Sequence, residues 1–252
     1  MKIAITDFDG TLKPFDQKIP PSTIDAIQRW RAAGNKFGIA TGREISMLNH
    51  DLSNYDITTD FVICVNGAVV FDKDRNILQS MRIARPLKVR LLSLPLIADT
   101  DYAMICFCER CSFSLRSDSN YIPTDIAPPI SFAEVIERDD VVQFGIKFET
   151  IEQASDAQLL IEHEIPQLRG NQNRIFLDVN VRPVDKKFGI DALLDKTGWR
   201  GNELFVIGDD KNDLPMITGF NGYTVIRAPE FMHKAARKVY DSVGDMLLNN
   251  LN

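Results

Sequence analysis

The stretch Lys2-Ile3-Ala4-Ile5-Thr6-Asp7-Phe8-Asp9-Gly10-Thr11-Leu12 decides how the remaining residues of this 252-residue chain are read. Lys2 to Thr6 is a short apolar run that stops at a carboxylate, the pattern of a buried strand ending at Asp7. Asp7 and Asp9 stand one residue apart, and two such carboxylates are costly to hold together unless a cation sits between them. Working outward, Pro20 and Pro21 precede Ser22 with Asp25 three residues later, which predicts a capping-box helix start. Ile24, Ile27 and Trp30 then fall near helical spacing, and Gly34 closes the helix. Lys36 to Ala40 reads as a second strand broken by Thr41-Gly42-Arg43, followed by a helix from Glu44 to Leu52. Phe61 to Val65 is a third strand, and Asn66-Gly67 a tight turn into Ala68 to Phe71. Strands alternating with helices imply a parallel sheet with helices on both faces, an α/β, Rossmann-like doubly wound core.

From about residue 83 the rhythm changes. Arg85 to Ala98 reads as a helix disturbed by Pro95, followed by strand-like runs at Tyr102 to Phe107, Phe113 to Leu115 and Val141 to Phe148. A helix from Ile151 to Ile165 and a strand from Arg174 to Val179 complete an α+β section. After Pro183 the alternation resumes with a helix from Lys187 to Thr197, a strand from Leu204 to Ile207 and a loop from Gly208 to Asp213. A strand at Gly222 to Val225 and a helix around Glu230 to Val239 follow. The expected layout is a discontinuous core, 1–82 plus 183–252, with an inserted α+β cap domain over 83–182.

Composition narrows the function. With 44% apolar and 25% charged residues the chain is an ordinary globular one. Its 35 acidic against 29 basic residues give a formal charge of -6. That balance argues against nucleic acid, whose binding rests on cationic contacts to phosphates. No stretch approaches the ~20 apolar residues of a membrane span. Four cysteines, Cys64, Cys106, Cys108 and Cys111, are too few for a disulfide framework, and the N-terminus lacks the apolar stretch of a signal peptide. The expected setting is the cytoplasm.

The chemistry is expected outside the carboxyl ends of the parallel strands. Three polar clusters occupy such ends: Asp7 to Thr11, Thr41-Gly42-Arg43, and Gly208-Asp209-Asp210-Lys211-Asn212-Asp213. Each alone reads equally well as a turn, but three in this order, each after a strand, point to a site. Asp7, Asp9, Asp209 and Asp213 make a hard, oxygen-rich set suited to Mg²⁺, which recruits substrate phosphate. A carboxylate there can attack phosphorus while a second protonates the leaving oxygen and then activates water. Lys186, Thr41 and loop amides are candidates to offset the charge of the transferring group.

These clusters carry a resemblance. Asp7-Phe8-Asp9-Gly10-Thr11-Leu12 resembles the first motif of the haloacid dehalogenase superfamily, and Gly208 to Asp213 its fourth. Ala40-Thr41-Gly42-Arg43, Asn66-Gly67-Ala68 and a single long insertion resemble the Cof-like subgroup. The resemblance implies Asp7 as nucleophile and Asp9 as general acid/base. It implies Mg²⁺ held by the Asp7 side chain, the Asp9 carbonyl and Asp209, with Asp213 supporting the metal shell. Thr41 and the Gly42 amide would hold phosphoryl oxygens, with Asn212 nearby. Lys186, three residues before Gly189, matches the third-motif lysine, and its neighbour Lys187 is the alternative. Asp210 stands where many relatives have Gly or Ser, and Phe8 where Leu is common. The activity implied is hydrolysis of a small phosphorylated metabolite, a sugar phosphate being the commonest choice, with the cap excluding water and selecting the leaving group. Alternatives are a phosphosugar mutase of the same superfamily, a phospho-accepting signalling domain and a binding module with a decayed site.

Other features read more plainly. Cys106, Cys108 and Cys111 contain no paired C-x-x-C knuckle, so small buried hydrophobes are expected rather than a metal site. Arg43 either touches substrate or pairs with a carboxylate. His50, His163 and His233 are expected on helix surfaces, and Asp139-Asp140 in a solvated turn. No motif in 83–182 names the substrate, and none bears on oligomeric state.

Overall fold

The computed structural model describes residues 1–15, 17–116 and 126–251. In chain order the elements begin with β1 (Lys2–Thr6), α1 (Pro21–Ala32), β2 (Lys36–Ala40), α2 (Ile45–Leu52), β3 (Phe61–Cys64), β4 (Val69–Asp72) and β5 (Ile77–Ser80). Next come α3 (Arg85–Leu92), α4 (Pro95–Ala98), β6 (Ala103–Cys108), β7 (Ser112–Arg116), α5 (Phe132–Glu137), β8 (Val141–Lys147), α6 (Ile151–Glu164), β9 (Leu168–Asn173) and β10 (Phe176–Val181). The chain closes with α7 (Lys186–Thr197), β11 (Glu203–Gly208), α8 (Leu214–Gly219), β12 (Tyr223–Val225), α9 (Glu230–Ala235), β13 (Lys238–Tyr240) and α10 (Val243–Asn249). Two compact units emerge: Met1–Thr41 with Leu48–Gln79 and Asp185–Asn252, and Gly42–Met47 with Ser80–Val184.

The first unit is built on a sheet that, among the described residues, has eight strands in the order β13-β12-β11-β1-β2-β3-β4-β5. Neighbours from β13 to β3 are parallel, and β4 returns antiparallel to β3. Its central strands are near-continuous apolar runs, as strands covered on both faces must be: Ile3, Ala4, Ile5, Phe37, Ile39, Phe61, Val62, Ile63, Val206 and Ile207 are all buried. The α/β class with a parallel core is therefore the fold of this chain. The strand order runs one way from β1 to β3 and the other way from β11 to β13. The carboxyl ends of β1 and β11 thus flank the switch point where such sheets bind ligands.

Several elements differ from the sequence reading. The capping box at Ser22 and Asp25 does not form. Pro20 is the N-cap of α1, with no side-chain cap, and Pro21 opens the helix, its fixed φ and missing N–H suiting the first position. Asp25 instead pairs with Arg29 at 2.9 Å. The helix read from Glu230 to Val239 stops at Ala235, and Lys238–Tyr240 pairs parallel with β12. Beyond the tight turn at Asn66-Gly67, β5 extends the sheet past β4, and α8 and α10 are further elements the reading omitted.

The second unit carries a five-stranded sheet among the described residues, β7-β6-β8-β10-β9, with every neighbouring pair antiparallel. The single strand read at Arg174 to Val179 is a hairpin of β9 and β10, turning through Arg174 at φ 52°. Pro95 splits the first helix of this section into α3 and α4, taking the opening position of α4 with Leu94 as N-cap. α6 packs on β9 and β10 and starts in a capping box of Thr150 and Gln153. Lys88 on α3 is buried, and its Nζ donates to the carbonyls of Val135 and Arg138 at the end of α5. Among the described residues no helix is long and apolar enough to cross a membrane.

Candidate active site

The end of β1 is tied to its neighbour, since Asp7 N donates to Ile207 O at 2.9 Å. The chain then folds back on itself, with Leu12 N donating to Asp7 O and Lys13 N to Phe8 O, while the Phe8 ring is wholly buried. Gly10 adopts φ 89°, and a Cβ there would run into the Asp209 carboxylate. Only glycine allows this loop to lie so close to the end of β11. Thr11 Oγ1 then donates to Asp209 Oδ1 at 2.6 Å.

At the end of β11, the amides of Asp209 and Asp210 donate to Asp213 Oδ2 at 2.8 and 3.1 Å. Asp210 caps the short turn after it, its Oδ1 accepting from Lys211 N at 2.7 Å. The added acid at position 210 therefore serves the loop backbone. From α7, capped by Asp185, Lys186 enters the same cluster. Its Nζ donates to Asp7 Oδ1 at 2.6 Å and to Asp213 Oδ1 at 2.5 Å, with the side chain fully buried. Lys187, one residue on, reaches Asp191 at 2.6 Å and lies over the Phe220 ring. The two adjacent lysines thus have different partners, Lys186 the buried carboxylates and Lys187 the side chain of Asp191.

The helix carrying Lys186 is seated by a glycine pair. A Cβ on Gly189 would come within 2.7 Å of Gly67 Cα. Gly67 itself has φ 102°, and a Cβ there would meet the Asp185 carbonyl. The turn after β3 and the first turn of α7 therefore touch backbone to backbone, bringing Lys186 down to the sheet ends.

One carboxylate oxygen from each of Asp7, Asp209 and Asp213 lies within 4.8 Å of the others, and all three side chains are buried. Burial pushes the Asp7 carboxyl well above its ordinary range, the Lys186 ammonium pulls it back, and Asp213 and Asp209 push it up again. Burial, with Asp213 beside it, pushes Asp209 up to about 6. Burial alone would lower Lys186, but Asp213 and Asp7 outweigh it and hold its ammonium above the usual value. Three carboxylates against one ammonium leave a formal charge of two negatives, which a divalent cation would cancel. The donor set is all oxygen, so the residues present fit Mg²⁺.

The other expected site residues are placed as follows. Thr41 is buried at the end of β2 and accepts through its carbonyl from Asn66 N at 2.9 Å, and Asn212 Nδ2 donates to Asn66 Oδ1 at 3.3 Å. Asp9 is half-buried and lies outside the three-carboxylate cluster. Gly42 and Arg43 belong to the second compact unit. Two contributors were not singled out from sequence. Thr11 touches a residue 198 positions away, a relation no local spacing shows. Asn66, which the sequence offers as a turn residue and as part of the Asn66-Gly67-Ala68 resemblance but with no role in the site, links Thr41 to Asn212.

Fold and site together are those of an α/β enzyme. The chain belongs to the haloacid dehalogenase-like hydrolase family, whose model matches residues 4–245. Among its solved neighbours is a sugar phosphatase of haloacid dehalogenase subclass IIB, 25% identical with a TM-score of 0.83, covering 99% of this chain and 98% of that one. A phosphatase of the same superfamily from Bacteroides thetaiotaomicron is 26% identical with a TM-score of 0.82, covering 99% and 93%. A protein of Mycoplasma capricolum subsp. capricolum is 24% identical over 97% of this chain and 98% of its own length. The chain is accordingly a hydrolase of the phosphatase type within this family.

Proposed function

We propose that this enzyme is a Mg²⁺-dependent phosphatase that hydrolyses small phosphomonoesters, sugar phosphates or related metabolites, through an aspartyl-phosphate on Asp7. The observation that carries the reading is the buried cluster of Asp7, Asp209 and Asp213 with Lys186 at the switch point. In this reading Asp7 and Asp209, with the Asp9 carbonyl, hold the metal, and Asp213 supports it while fixing Lys186. A bound divalent cation supplies the positive charge that keeps Asp7 ionised and draws in the phosphate.

Asp7 Oδ attacks phosphorus as the bond to the leaving oxygen breaks, and Asp9 gives that oxygen its proton. The Asp9 carboxylate so formed takes a proton from water, whose oxygen attacks the phosphoryl group, releasing inorganic phosphate and the Asp7 carboxylate. Lys186, Thr41, the Gly42 amide and Asn212 offset charge on the phosphoryl oxygens, and Arg43 contributes to substrate binding. Residues 1–82 and 183–252 carry out the transfer, and the inserted residues 83–182 select the leaving group. The sugar-phosphate preference is supported by the subclass IIB relative, and the cytoplasmic setting by the scarcity of cysteine.

The test is a panel of phosphorylated metabolites with Mg²⁺, followed by acid-quenched mass spectrometry of the peptide holding Asp7. A phosphoryl adduct on Asp7 during turnover is expected. Undiminished p-nitrophenyl phosphate hydrolysis by Asp7→Asn would sink the nucleophile assignment. A strict requirement for a sugar acceptor would favour a mutase instead.

A further inference from the structure

We propose that Cys108, Cys111 and Asp140 form a second metal site, within the inserted unit, for a borderline-soft divalent cation of the Zn²⁺ type. β6 ends at Cys108, β7 begins directly after Cys111, and β8 begins directly after Asp140. These strands are neighbours in the order β7-β6-β8 and antiparallel, so all three residues sit at one end of the sheet. Cys108 N donates to Cys111 O at 2.8 Å, and Glu109 N to Asp140 O at 3.1 Å, which ties the two turns together. The β6–β8 register shifts between Phe107 and Cys108, an irregularity of the kind that re-aims a side chain at a strand end. The outcome is that the two sulfurs and one Asp140 oxygen all lie within 4.8 Å of one another.

The donor set decides the metal class. Two thiolates with one carboxylate suit Zn²⁺, whereas Mg²⁺ selects oxygen alone. Binding displaces one proton from each thiol. Two thiolates and a carboxylate then face a divalent cation and the Arg138 guanidinium, so the charges cancel. Arg138 grips Asp140 at 2.9 and 2.7 Å and lies 4.6 Å over the Phe113 ring, the carboxylate-orienting partner that metal ligands usually have. Cys108 is buried while Cys111 and Asp140 are partly exposed, so a cation can enter from solvent and a water can complete four-coordination.

Co²⁺ is the probe that tells this site from the carboxylate cluster, because only thiolates give sulfur-to-cobalt charge-transfer absorption. Titration of the reduced, metal-stripped full chain should develop that band to saturation at one equivalent. Asp209→Asn should keep the band, Cys111→Ser should lose it, and Asp140→Asn should weaken Co²⁺ affinity by about tenfold or more. Zn²⁺ should bleach the band and slow alkylation of Cys111 in the unmutated chain, a readout that does not depend on how well the variants fold. No band at saturating Co²⁺, a band surviving in Cys111→Ser, undiminished affinity in Asp140→Asn, or alkylation indifferent to Zn²⁺ would each overturn the site.

Discussion

Lys186 Nζ lies 2.5 Å from Asp213 Oδ1 with both side chains shut away from solvent, and the same nitrogen reaches Asp7. Removing one member of a buried ion pair leaves the others charged and unpaired, at a cost of about 3–5 kcal/mol. Lys186→Met should therefore lower stability at neutral pH by that order and abolish turnover. Lys187→Met, at a half-exposed pair with Asp191, should change stability by under about 1 kcal/mol and leave activity near that of the unmutated chain. Chemical denaturation and phosphatase assays on the two variants side by side check this.

The carboxylates divide by role. Asp7→Asn should reduce hydrolysis to background while keeping or raising the melting temperature of the metal-free protein, since it relieves repulsion among three buried carboxylates and leaves Lys186 paired with Asp213. Asp9→Asn should fold normally and lose roughly 10²–10⁴-fold in kcat, the usual span for a general acid/base. EDTA should suppress turnover and Mg²⁺ restore it. A variant at position 7 with normal kcat would contradict the first expectation.

A pH dependence follows from Asp209. Its folded value, up at about 6 through burial, exceeds the ordinary carboxylate value near 4. Between those pH values the folded chain holds more protons than the unfolded one, so this group's contribution to stability falls as pH rises. The full effect is about 3 kcal/mol at 1.36 kcal/mol per unit. In EDTA, Asp209→Asn should gain stability relative to the unmutated chain as pH climbs from 4 to 6 or slightly above. Mg²⁺, which binds the ionised form, should cancel or reverse that gain. Denaturant midpoints across the range give the comparison.

Backbone contact between Gly67 and Gly189 makes the site sensitive to a single methyl group. Gly189→Ala should cost about 1–3 kcal/mol through overpacking, and its effect on kcat should be larger than that stability loss explains, because α7 must shift and carry Lys186 with it. A melting curve and a kcat measurement at low temperature separate the two effects. Ordinary kcat in a folded Gly189→Ala protein would mean that the helix start tolerates the displacement.

How far the sequence could be read depended on whether the signal was local. β1 and Asp7 were legible because the uncharged run Ile3-Ala4-Ile5-Thr6 stops at a carboxylate, and the ends of the sheet strands followed. β9 was not, because Arg169-Gly170-Asn171-Gln172-Asn173 has no apolar alternation. Its buried amides are satisfied by partners elsewhere, Asn171 Nδ2 donating to Asn180 Oδ1 and Gln172 Nε2 to the Ile151 carbonyl. β13 follows directly on α9, and the alanines and basic residues between Lys234 and Lys238 prolong the helical pattern. Lys186 and Lys187 are adjacent in sequence, and only the roughly 100° between successive helical residues sends one to Asp7 and the other to Asp191. Asp140 could not be associated with Cys108 and Cys111, because strand pairing alone brings them together.

The position of β1 between β2 and β11 also bears on how the chain is made. β2 follows soon after, but residues 203–208, which complete the other edge of β1 and bring Asp209, emerge from the ribosome far later. At about 5–20 residues per second the delay is roughly ten to thirty seconds. Through that interval β1 has one hydrogen-bonding edge unpaired and Asp7 lacks both Lys186 and Asp209. The antiparallel strands of residues 103–181, paired over shorter separations, can close in the meantime. A newly made molecule can thus form its inserted unit before its reactive centre is complete, and a nascent chain stalled before residue 186 would leave the β11 side of β1 as an open sheet edge.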